Sequence, residues 1–529
     1  MADLPYRIVI GLEVHVQLLT RTKLFCGCKN QFGLPPNSAT CPVCAGLPGV
    51  LPVMNRHAFE LALKAALALN CHIAPFTKWD RKNYYYPDLP KNYQISQYDL
   101  PFSRDGWLEI ETAAGPKRVG IIRVHLEEDA GKMLHDEHGT GKDSLVDLNR
   151  AGTPLLEIVS KPELASPEEA KTYLEEIRLL MRELEVSDCE MQEGSLRCDA
   201  NVNIHVPLTP SPSTPLLQRG ERGWGEGIAA TPIVEVKNLN SFRAVERAMK
   251  FEAQRQYDEF QSKIGKDWHL LPPKDPASPL RRVGERRGAE LVPVPKATAG
   301  WNEDRGRTEV QRRKEEASDY RYFPEPDLVP VEVDEAWLER IRASLGELPA
   351  AQRRRLREQY GLSAYDADVI TRQGRAFVRY FEEVARQSGD AKAASNWLTN
   401  QVLATLNERK ISINDFPIAA AALAELLKQV QATGLNMQRA REVYAEMLAS
   451  GASAAEAIGK LGFKVEADEA RLREAVRRAI AANPKAVADF KKGKVKAADA
   501  IKGAVMRETK GMAKIEVVQQ LLMEELQKK

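Results

Sequence analysis

The stretch that sets the fold lies near the amino terminus: Arg7-Ile-Val-Ile-Gly-Leu-Glu-Val-His-Val-Gln-Leu-Leu19. Its β-branched residues, and the alternation of polar and apolar residues at its end, predict a β-strand. Successive side chains of a strand point to opposite faces, so Glu13 and His15 lie on the same face. This pair is the first candidate for a reaction site.

A second stretch is both aromatic and polar: Trp79-Asp-Arg-Lys-Asn-Tyr-Tyr-Tyr-Pro-Asp-Leu-Pro-Lys-Asn-Tyr-Gln-Ile-Ser-Gln-Tyr-Asp99. It is poorly suited to a dry core, because each buried hydroxyl or amide needs a partner. It is also too aromatic for a disordered linker. Cations for phosphate, tyrosines for stacking and amides for directed hydrogen bonds are typical of a site for a nucleotide or a nucleic-acid end. The candidates are Arg81, Lys82, Asn83 and Tyr84. A well-ordered surface loop is the alternative.

Four of the seven cysteines form two close pairs, Cys26-Gly-Cys28 and Cys41-Pro-Val-Cys44. This spacing suits tetrahedral coordination of zinc by thiolates. Four thiolates leave no open position on the ion, so its role would be structural. A group of reduced thiols in a small core is the alternative. An odd number of cysteines without a secretion signal argues against a disulfide framework.

Acidic residues recur in three further segments, which are His125-Leu-Glu-Glu-Asp-Ala-Gly-Lys132, Asp147-Leu-Asn-Arg-Ala-Gly-Thr-Pro-Leu-Leu-Glu157 and Met191-Gln-Glu-Gly-Ser-Leu-Arg-Cys-Asp-Ala-Asn201. Two carboxylates beside a lysine, as at Glu127, Glu128 and Lys132, can hold magnesium and meet a phosphate. Arg197 is a further candidate contact for substrate. A single acid is more often solvated or salt-bridged than a ligand. The number of such residues at predicted strand ends favours a site.

Composition excludes several classes of protein. The chain has 529 residues, which suits three or four domains at about 150 residues each. The net charge is +2, so any nucleic-acid contact should be local. There is no apolar run long enough to span a bilayer, and the first residues lack a signal-peptide pattern. We therefore expect a cytoplasmic protein without membrane contact.

The sequence changes character after Pro330. Strand and helix patterns alternate before it, which predicts an α+β catalytic domain with a mixed or antiparallel sheet over residues 1–333. The later residues are rich in alanine, leucine, glutamate, lysine and arginine, which predicts an all-helical domain at 334–450 and a helical tail at 451–529. Two low-complexity segments, 207–232 and 270–300, are predicted to be surface insertions without a core of their own.

Individual elements follow from the same patterns. Short strands that alternate with glycine-rich turns are predicted over 107–124, and single strands over 196–206 and 233–237. Predicted helices span 58–69, 166–184, 243–261, 335–345, 350–360, 374–387, 391–408 and 418–433. Ser166-Pro-Glu-Glu169 resembles a capping box at the start of the second helix.

Common nucleotide-binding motifs are missing from the sequence. His138-Gly-Thr-Gly-Lys-Asp143 resembles a P-loop but lacks the glycine spacing and the hydroxyl residue. The sequence has neither a kinase glycine-rich loop with its catalytic-loop motif nor a nucleophile elbow. Any ATP chemistry would therefore rest on an unusual site.

Over nearly its whole length, the chain resembles the GatB family, which comprises the B subunits of the aspartyl/glutamyl-tRNA amidotransferases. The matching motifs are 10–17, 80–88, 125–132, 147–150, Gly194-Ser-Leu-Arg-Cys-Asp-Ala-Asn201, Glu235-Val-Lys-Asn-Leu-Asn-Ser-Phe242 and Asp319-Tyr-Arg-Tyr-Phe-Pro-Glu-Pro-Asp-Leu328. The helical part is similar to the family's tail, which resembles the YqeY proteins. Segments 207–232 and 270–300 are longer than the usual pattern.

The resemblance implies a specific chemistry. A protein of this family binds Glu-tRNA(Gln) or Asp-tRNA(Asn) and uses ATP and magnesium to phosphorylate the side-chain carboxylate. Ammonia from a separate amidase subunit then displaces phosphate, and the heterotrimer is completed by a small third subunit. The family's magnesium ligands correspond to Glu13, His15, Glu128 and Glu157, with Glu127 beside them. The family's tail contributes to tRNA binding. From Pro484 to Lys529, 11 lysines or arginines stand against 6 acids, with the densest run at Lys491–Lys496.

Two other functions are open at this point. A noncatalytic tRNA-binding adaptor could use the zinc knuckle and helices for recognition, but it would have no use for acids and histidine at strand ends. An aminoacyl-tRNA synthetase is a weaker alternative, because the class I nucleotide-binding signatures are missing. The sequence leaves open whether Glu-tRNA(Gln), Asp-tRNA(Asn) or both are substrates.

Overall fold

The predicted amino-terminal strand lies in the middle of a 13-stranded sheet. The structure is a computed structural model, and it describes residues 4–135, 144–208, 227–275, 277–313, 320–433, 435–463, 469–491, 498–508 and 515–527. Within the described residues no helix has both the length and the apolar character needed to cross a membrane.

The strands alternate with a few helices in the first part of the chain. They are β1 (Arg7–Gln17), β2 (His72–Ile73), β3 (Phe76–Thr77), β4 (Asp80–Asn83), β5 (Tyr93–Ser96), β6 (Ser103–Thr112), β7 (Gly115–Glu128), β8 (Lys132–His135), β9 (Ser144–Asp147), β10 (Pro154–Ser160), β11 (Leu196–Pro207), β12 (Ile228–Ala230), β13 (Val234–Lys237), β14 (Trp268–Leu270), β15 (Leu280–Arg287), β16 (Glu290–Pro293), β17 (Ala297–Asn302), β18 (Arg307–Arg313), β19 (Phe323–Pro324) and β20 (Val331–Glu332).

The main sheet is mixed, as the sequence predicts. Its central strand order is β11-β1-β10-β7-β6, and these neighbours are antiparallel. β13 pairs with the middle of β11, and the pairs β12–β15 and β13–β17 are parallel. Three small sheets, β19-β4-β5, β20-β3 and β8-β9, lie outside it. The central strands are therefore joined over long sequence separations, and they bring distant motifs side by side.

Most helices follow the last strand. They are α1 (Pro42–Ala45), α2 (Arg56–Ala68), α3 (Pro167–Glu183), α4 (Phe242–Lys263), α5 (Glu335–Leu345), α6 (Pro349–Tyr360), α7 (Ala364–Thr371), α8 (Arg375–Ser388), α9 (Ala391–Trp397), α10 (Leu403–Arg409), α11 (Ala420–Thr433), α12 (Met437–Ser450), α13 (Ala454–Lys460), α14 (Glu469–Ala482), α15 (Pro484–Lys491), α16 (Ala498–Glu508) and α17 (Ile515–Gln527).

One face of the sheet is covered by helices. Even-numbered β1 side chains such as Leu12 and Val14 are fully buried, and they belong to one core cluster with Tyr173 of α3 and Ala248 of α4. The predicted start of α3 is confirmed, because the Ser166 side chain accepts a hydrogen bond from the Glu169 backbone N–H. The odd-numbered β1 side chains are left on the opposite face, where the polar residues lie.

The prediction for residues 270–300 is wrong. The segment supplies β15, β16 and β17 to the main sheet, and Val283 and Ala299 are buried in its core. Its many arginines, glycines and prolines hide this pattern, because the short strands alternate with turns and carry few apolar residues each. The other predicted insertion, 207–232, falls mostly on 209–226, outside the described residues, and its end forms β12.

The chain divides into two compact units, 1–348 and 349–529. The division comes later than the predicted boundary at 333, because α5 belongs to the first unit. The Trp337 ring of α5 packs against Phe59 of α2 at a centroid distance of 5.7 Å, and its indole N–H donates to Glu60 over 3.2 Å. The second unit is helical throughout its described residues, as predicted.

The second unit holds two hydrophobic clusters. The first joins α6 to α13 and includes Phe377, Phe381 and Trp397, all nearly or fully buried. The second joins α14, α16 and α17 around Ile501 and Leu522. Because α13 packs in the first cluster, the boundary between the two clusters lies later in the chain than the predicted boundary at 451. The lysine run 491–496 lies almost entirely outside the described residues.

Candidate functional site

Polar side chains line the face of the central strands that lies opposite the helices. Glu157 of β10 is directly opposite His15 of β1 in the pairing register, and it is also opposite His125 of β7. On the other side of β1, Asp199 of β11 is opposite Glu13. Side chains directly opposite on one face lie about 4.5–5.5 Å apart at Cβ. The register thus brings four separate sequence motifs into one patch.

A histidine–carboxylate cluster occupies the middle of this patch. Glu157 Oε2 lies 3.3 Å from His125 Nε2 and 3.7 Å from His15 Nε2. Glu127 Oε2 lies 3.7 Å from His125 Nε2 and accepts a hydrogen bond from the Ser96 hydroxyl over 3.1 Å. Ligand atoms of His15, Glu127 and Glu157 all lie within 4.8 Å of one another, so these three side chains could hold a metal ion.

The two carboxylates of this cluster are buried, and their neighbours nevertheless favour the charged form. Burial disfavours the carboxylate of Glu157, but the neighbouring His125, His15 and Lys82 outweigh burial and hold the Glu157 pKa well below its usual range. Burial likewise opposes ionisation of Glu127, yet hydrogen bonding with His125 leaves the pKa of Glu127 lowered. Two anionic carboxylates so close together repel each other, and a cation between them removes that repulsion.

The predicted magnesium set of Glu13, His15, Glu128 and Glu157 is not brought together as a whole. Glu13 lies on the same face, where its Oε1 accepts from the Asn201 amide over 2.8 Å, but it is outside the group of three. Glu128 follows Glu127 on β7 and points to the other side of the strand, because side chains alternate. The structure therefore places Glu127, rather than Glu128, beside Glu157.

Glu128 lies instead in a small cavity beside the cysteines. Its Oε1 accepts from the Ile95 backbone N–H over 2.9 Å and forms an ion pair with Lys91. Cys26 and Cys44 line the same cavity. Glu128 and Glu127 thus lie in different environments although they are neighbours in sequence.

Lys82, a member of the predicted nucleotide-binding set, faces the cluster. Burial disfavours its ammonium, but the charges of Glu127 and Glu157 outweigh burial and raise the Lys82 pKa. Its Nζ lies 5.3 Å from the centroid of the Tyr320 ring and 5.9 Å from that of Tyr84. A cation held by carboxylates and aromatic rings beside a candidate metal site is well placed to meet a phosphate group.

The other predicted residues of this set hold the loop together. Asn83 donates to the Arg321 backbone carbonyl over 2.7 Å, and the Tyr84 ring packs edge-on against Tyr320. Arg81 makes two hydrogen bonds to Glu325, from Nε over 2.6 Å and from an Nη atom over 2.7 Å. These contacts hold the segment 320–327 against β4, which belongs to the aromatic stretch 79–99.

Replacing Glu325 with alanine should destabilise the first unit by about 3–5 kcal/mol, because the partly buried Arg81 guanidinium loses its bidentate partner. The Glu325 side chain is fully buried. Urea unfolding of the two variants Glu325→Ala and Glu339→Ala measures the difference. Glu339 is the matched control, since its pair with Arg342 is exposed and should contribute less than about 1 kcal/mol. Equal losses in the two variants would contradict the structural role of the buried pair.

Arg197 and Lys132 have different surroundings. An Nη atom of Arg197 donates to Asp129 over 2.6 Å, and Asp129 also accepts from the Gln17 amide over 2.8 Å. Burial opposes ionisation of Asp129, but Arg197 and Arg150 outweigh burial and lower its pKa. Arg197 thus belongs to a charged group at the edge of the polar patch. Lys132 is exposed on β8.

Sequence reasoning missed two residues of the polar face. His125 is 2% exposed and contacts both cluster carboxylates, and its Nδ1 atom has no hydrogen-bond partner within the part of the chain that the structure describes. Its spacing of two from Glu127 on a strand was the available signal. Lys237, at the end of β13, forms an ion pair with Asp199. The sequence gives no sign that residues 237 and 199 are neighbours, because they meet only through the pairing of β13 with β11.

The four clustered cysteines converge as predicted. One sulfur from each of Cys26, Cys28, Cys41 and Cys44 lies within 4.8 Å of the other three, so the group could hold a metal ion and is compatible with structural zinc. A hydrogen bond from Cys26, together with the ammonium of Lys23, lowers the pKa of Cys44 to about 4. Lys23 is fully buried, with Nζ at 3.7 Å from the Cys44 sulfur. A thiolate is the form that binds zinc.

Fold and site together define a class of protein. The family model described as the GatB/GatE catalytic domain matches residues 8–339, and the model described as the GatB domain matches residues 379–526. The first match contains the polar patch, the four cysteines and every strand of the main sheet, with only the first residue of β1 left out.

Full-length relatives narrow the class to one family. The chain is 48% identical over 522 residues to the B subunit of the aspartyl/glutamyl-tRNA(Asn/Gln) amidotransferase of Rhodopirellula baltica, covering 98% of this chain and 97% of that protein. It is 46% identical to the same protein of Moorella thermoacetica, covering 99% and 100%, and 47% identical to that of Caldanaerobacter subterraneus, also covering 99% and 100%. The chain belongs to the family of aspartyl/glutamyl-tRNA(Asn/Gln) amidotransferase B subunits.

Proposed function

We propose that this chain activates the side-chain carboxylate of glutamate or aspartate carried by tRNA. The substrates would be Glu-tRNA(Gln), Asp-tRNA(Asn) or both, and the products Gln-tRNA(Gln) and Asn-tRNA(Asn). Membership of the family supports the reaction. The observation that carries the assignment of a site is the group of half-buried His15 with the buried Glu127 and Glu157, and Lys82 beside it.

The chemistry needs an activation step, because a carboxylate oxygen is a poor leaving group. The γ-phosphoryl group of ATP is transferred to a side-chain carboxylate oxygen, and ADP leaves. Ammonia then attacks the carbonyl carbon, and phosphate departs as the C–N bond forms. Phosphoryl transfer depends on positioning and on stabilisation of charge more than on covalent catalysis. That requirement matches a site of cations and acids.

The side chains present fit a magnesium ion. Two carboxylate oxygens and one imidazole nitrogen within 4.8 Å of one another can share one ion. Carboxylates are typical magnesium ligands, whereas histidine is less usual beside hard oxygen ligands. Magnesium, when bound there, neutralises phosphate charge. His125 orients Glu157 and Glu127 through its contacts with both, and Lys82 offers a positive charge to the incoming phosphate.

The cysteine knuckle would hold one structural zinc. It lies next to the connection into β10, since the Leu24 backbone N–H donates to Gly152 over 2.8 Å and Lys23 Nζ donates to the Leu148 carbonyl over 3.3 Å. The knuckle thereby supports the segment that leads to Glu157.

Further subunits complete the proposed enzyme. Ammonia would come from glutamine through an amidase partner, and a small third subunit would join the complex in the cytoplasm. The test is to purify the chain with these partners and supply each misacylated tRNA. We expect amide formation on at least one tRNA, with ATP consumed and glutamine as nitrogen donor. A complex that binds tRNA but never consumes ATP would favour the noncatalytic adaptor.

Deleting residues 464–529 should weaken tRNA binding and reduce its salt dependence. The deletion keeps α13 and the rest of the first cluster, and it removes the second cluster together with the lysine-rich tail. Cations that contact phosphates release counterions, so affinity falls as salt rises. Filter binding at several salt concentrations measures the slope, and ATP binding serves as the control that should not change. Equal tRNA affinity of the truncated and full-length complexes at moderate salt would contradict a role for the tail.

A further inference from the structure

A second cavity, of about 660 Å³, lies near one edge of the sheet. It lies where β13 passes into α4, against the hairpin of β17 and β18. Its walls include Asn238, Asn240 and Ser241, which belong to the motif 235–242 that the proposed reaction leaves without a role. The volume is within the range of about 300–1,000 Å³ typical of small-molecule sites.

Four of the eleven lining residues carry carboxamides. Asn238 and Asn240 approach from the β13 side, and Asn302 and Gln311 from the hairpin. Gly300 keeps the space open, because a Cβ atom there would lie 2.5 Å from the Gln311 amide nitrogen and 3.2 Å from that of Asn238. Each carboxamide both donates and accepts hydrogen bonds. The cavity therefore suits a planar ligand with neighbouring donors and acceptors.

The two acidic residues that line the cavity already pair with arginines of the protein. Glu309 accepts from Arg305 over 2.9 Å and from Arg307 over 2.9 Å, and Glu303 pairs with Arg247. None of the described residues that line the cavity is a lysine or an arginine. A phosphate group would find no cation among these lining residues. An uncharged heterocycle would find hydrogen-bonding partners and the neighbouring Trp301 at the cavity wall.

The sheet register links this cavity to the candidate reaction site. Gly300 of β17 is opposite Lys237 of β13, and Lys237 forms an ion pair with Asp199 of β11. Asp199 is opposite Glu13 of β1. Neighbouring strands lie about 4.8 Å apart, so Gly300 at the cavity wall lies roughly three strand spacings from Glu13. A nucleotide could place its base in the cavity and its charged end toward the polar patch.

We propose that this carboxamide pocket binds the adenine base of a nucleotide-bearing substrate. Asparagine and glutamine side chains match the adjacent donor and acceptor of adenine, N6 and N7. Under the proposed function, on which this inference rests, two substrates carry adenine: ATP and the terminal adenosine of the aminoacyl-tRNA. Both present the same chemistry to the pocket, and the experiment separates them.

The test compares ligands with and without the base. Binding of ATP and of tripolyphosphate, and of tRNA with and without its terminal adenosine, is measured by calorimetry on the complex with its partner subunits. The variants are Asn240→Ala with Gln311→Ala, which removes two exposed carboxamides, and Gly300→Ala, which fills the space. Gln261→Ala is the matched control, because its amide contacts Tyr257 on α4 away from the cavity.

In the unchanged complex we expect a preference for the ligand that carries adenine. Both pocket variants should reduce that preference by roughly tenfold or more for one of the two substrates, while Gln261→Ala keeps it. A loss in the ATP comparison assigns the pocket to ATP, and a loss in the tRNA comparison assigns it to the tRNA end. A preference that changes less than about twofold in both comparisons overturns the proposal. An unchanged complex that binds neither ATP nor tRNA overturns the proposed function itself.

Discussion

Replacing Glu157 with glutamine should reduce ATP-dependent amidation by roughly 10³-fold. Glutamine keeps the size of the side chain but removes the negative charge that His125, His15 and Lys82 face. The group of His15, Glu127 and Glu157 would then hold a divalent cation far less tightly. The measurement is the rate of amidation as a function of magnesium concentration, and we expect the half-maximal concentration to rise along with the loss of rate.

Two controls separate a role at the site from a loss of stability. Glutamine hydrolysis by the amidase partner should be unchanged, because under the proposed function that reaction takes place on a different protein of the complex. Glu109→Gln is the matched variant, since Glu109 lies on β6 in the same sheet and pairs with Arg118 at the surface. Normal amidation by the Glu157 variant, at an unchanged magnesium requirement, would refute the assignment of this cluster.

Replacing Cys44 with serine should remove the zinc and destabilise the first unit by several kcal/mol. Apparent binding free energies of structural zinc are about 10–16 kcal/mol in zinc-finger peptides, and they contribute directly to folding. Cys44 is buried, and its thiolate lies beside the buried Lys23, so the variant also leaves that ammonium without its anionic neighbour. Metal analysis and chemical denaturation measure the two effects.

The unchanged chain should contain about one zinc, and a chelator should lower its stability in the same direction as the substitution. Cys71→Ala is the matched control, because Cys71 is buried in the same unit but lies outside the cluster. It should keep the metal. Well under one zinc per unchanged chain, with the four thiols freely alkylated, would contradict the structural zinc.

Much of the fold follows from local patterns. The alternation at the end of β1, the capping serine of α3 and the apolar spacing of α5 gave elements that the structure confirms, with α5 at the predicted bounds. These signals depend on neighbouring residues only, and the period of a strand or helix is visible within about ten residues. The short strands between 280 and 302 gave no such signal, since each relies on its sheet neighbours rather than on its own apolar residues.

The candidate site divides in the same way. The sequence by itself determined which residue types are available, that Glu13 and His15 share a face, and that four cysteines are spaced for one metal ion. Only the tertiary structure decided that Glu127, and not Glu128, meets Glu157, that His125 joins them, and that Arg81 pairs with Glu325 rather than remaining available to a ligand. The physical reason is that alternation fixes the faces within a strand, whereas the partners across strands depend on a register between segments far apart in sequence.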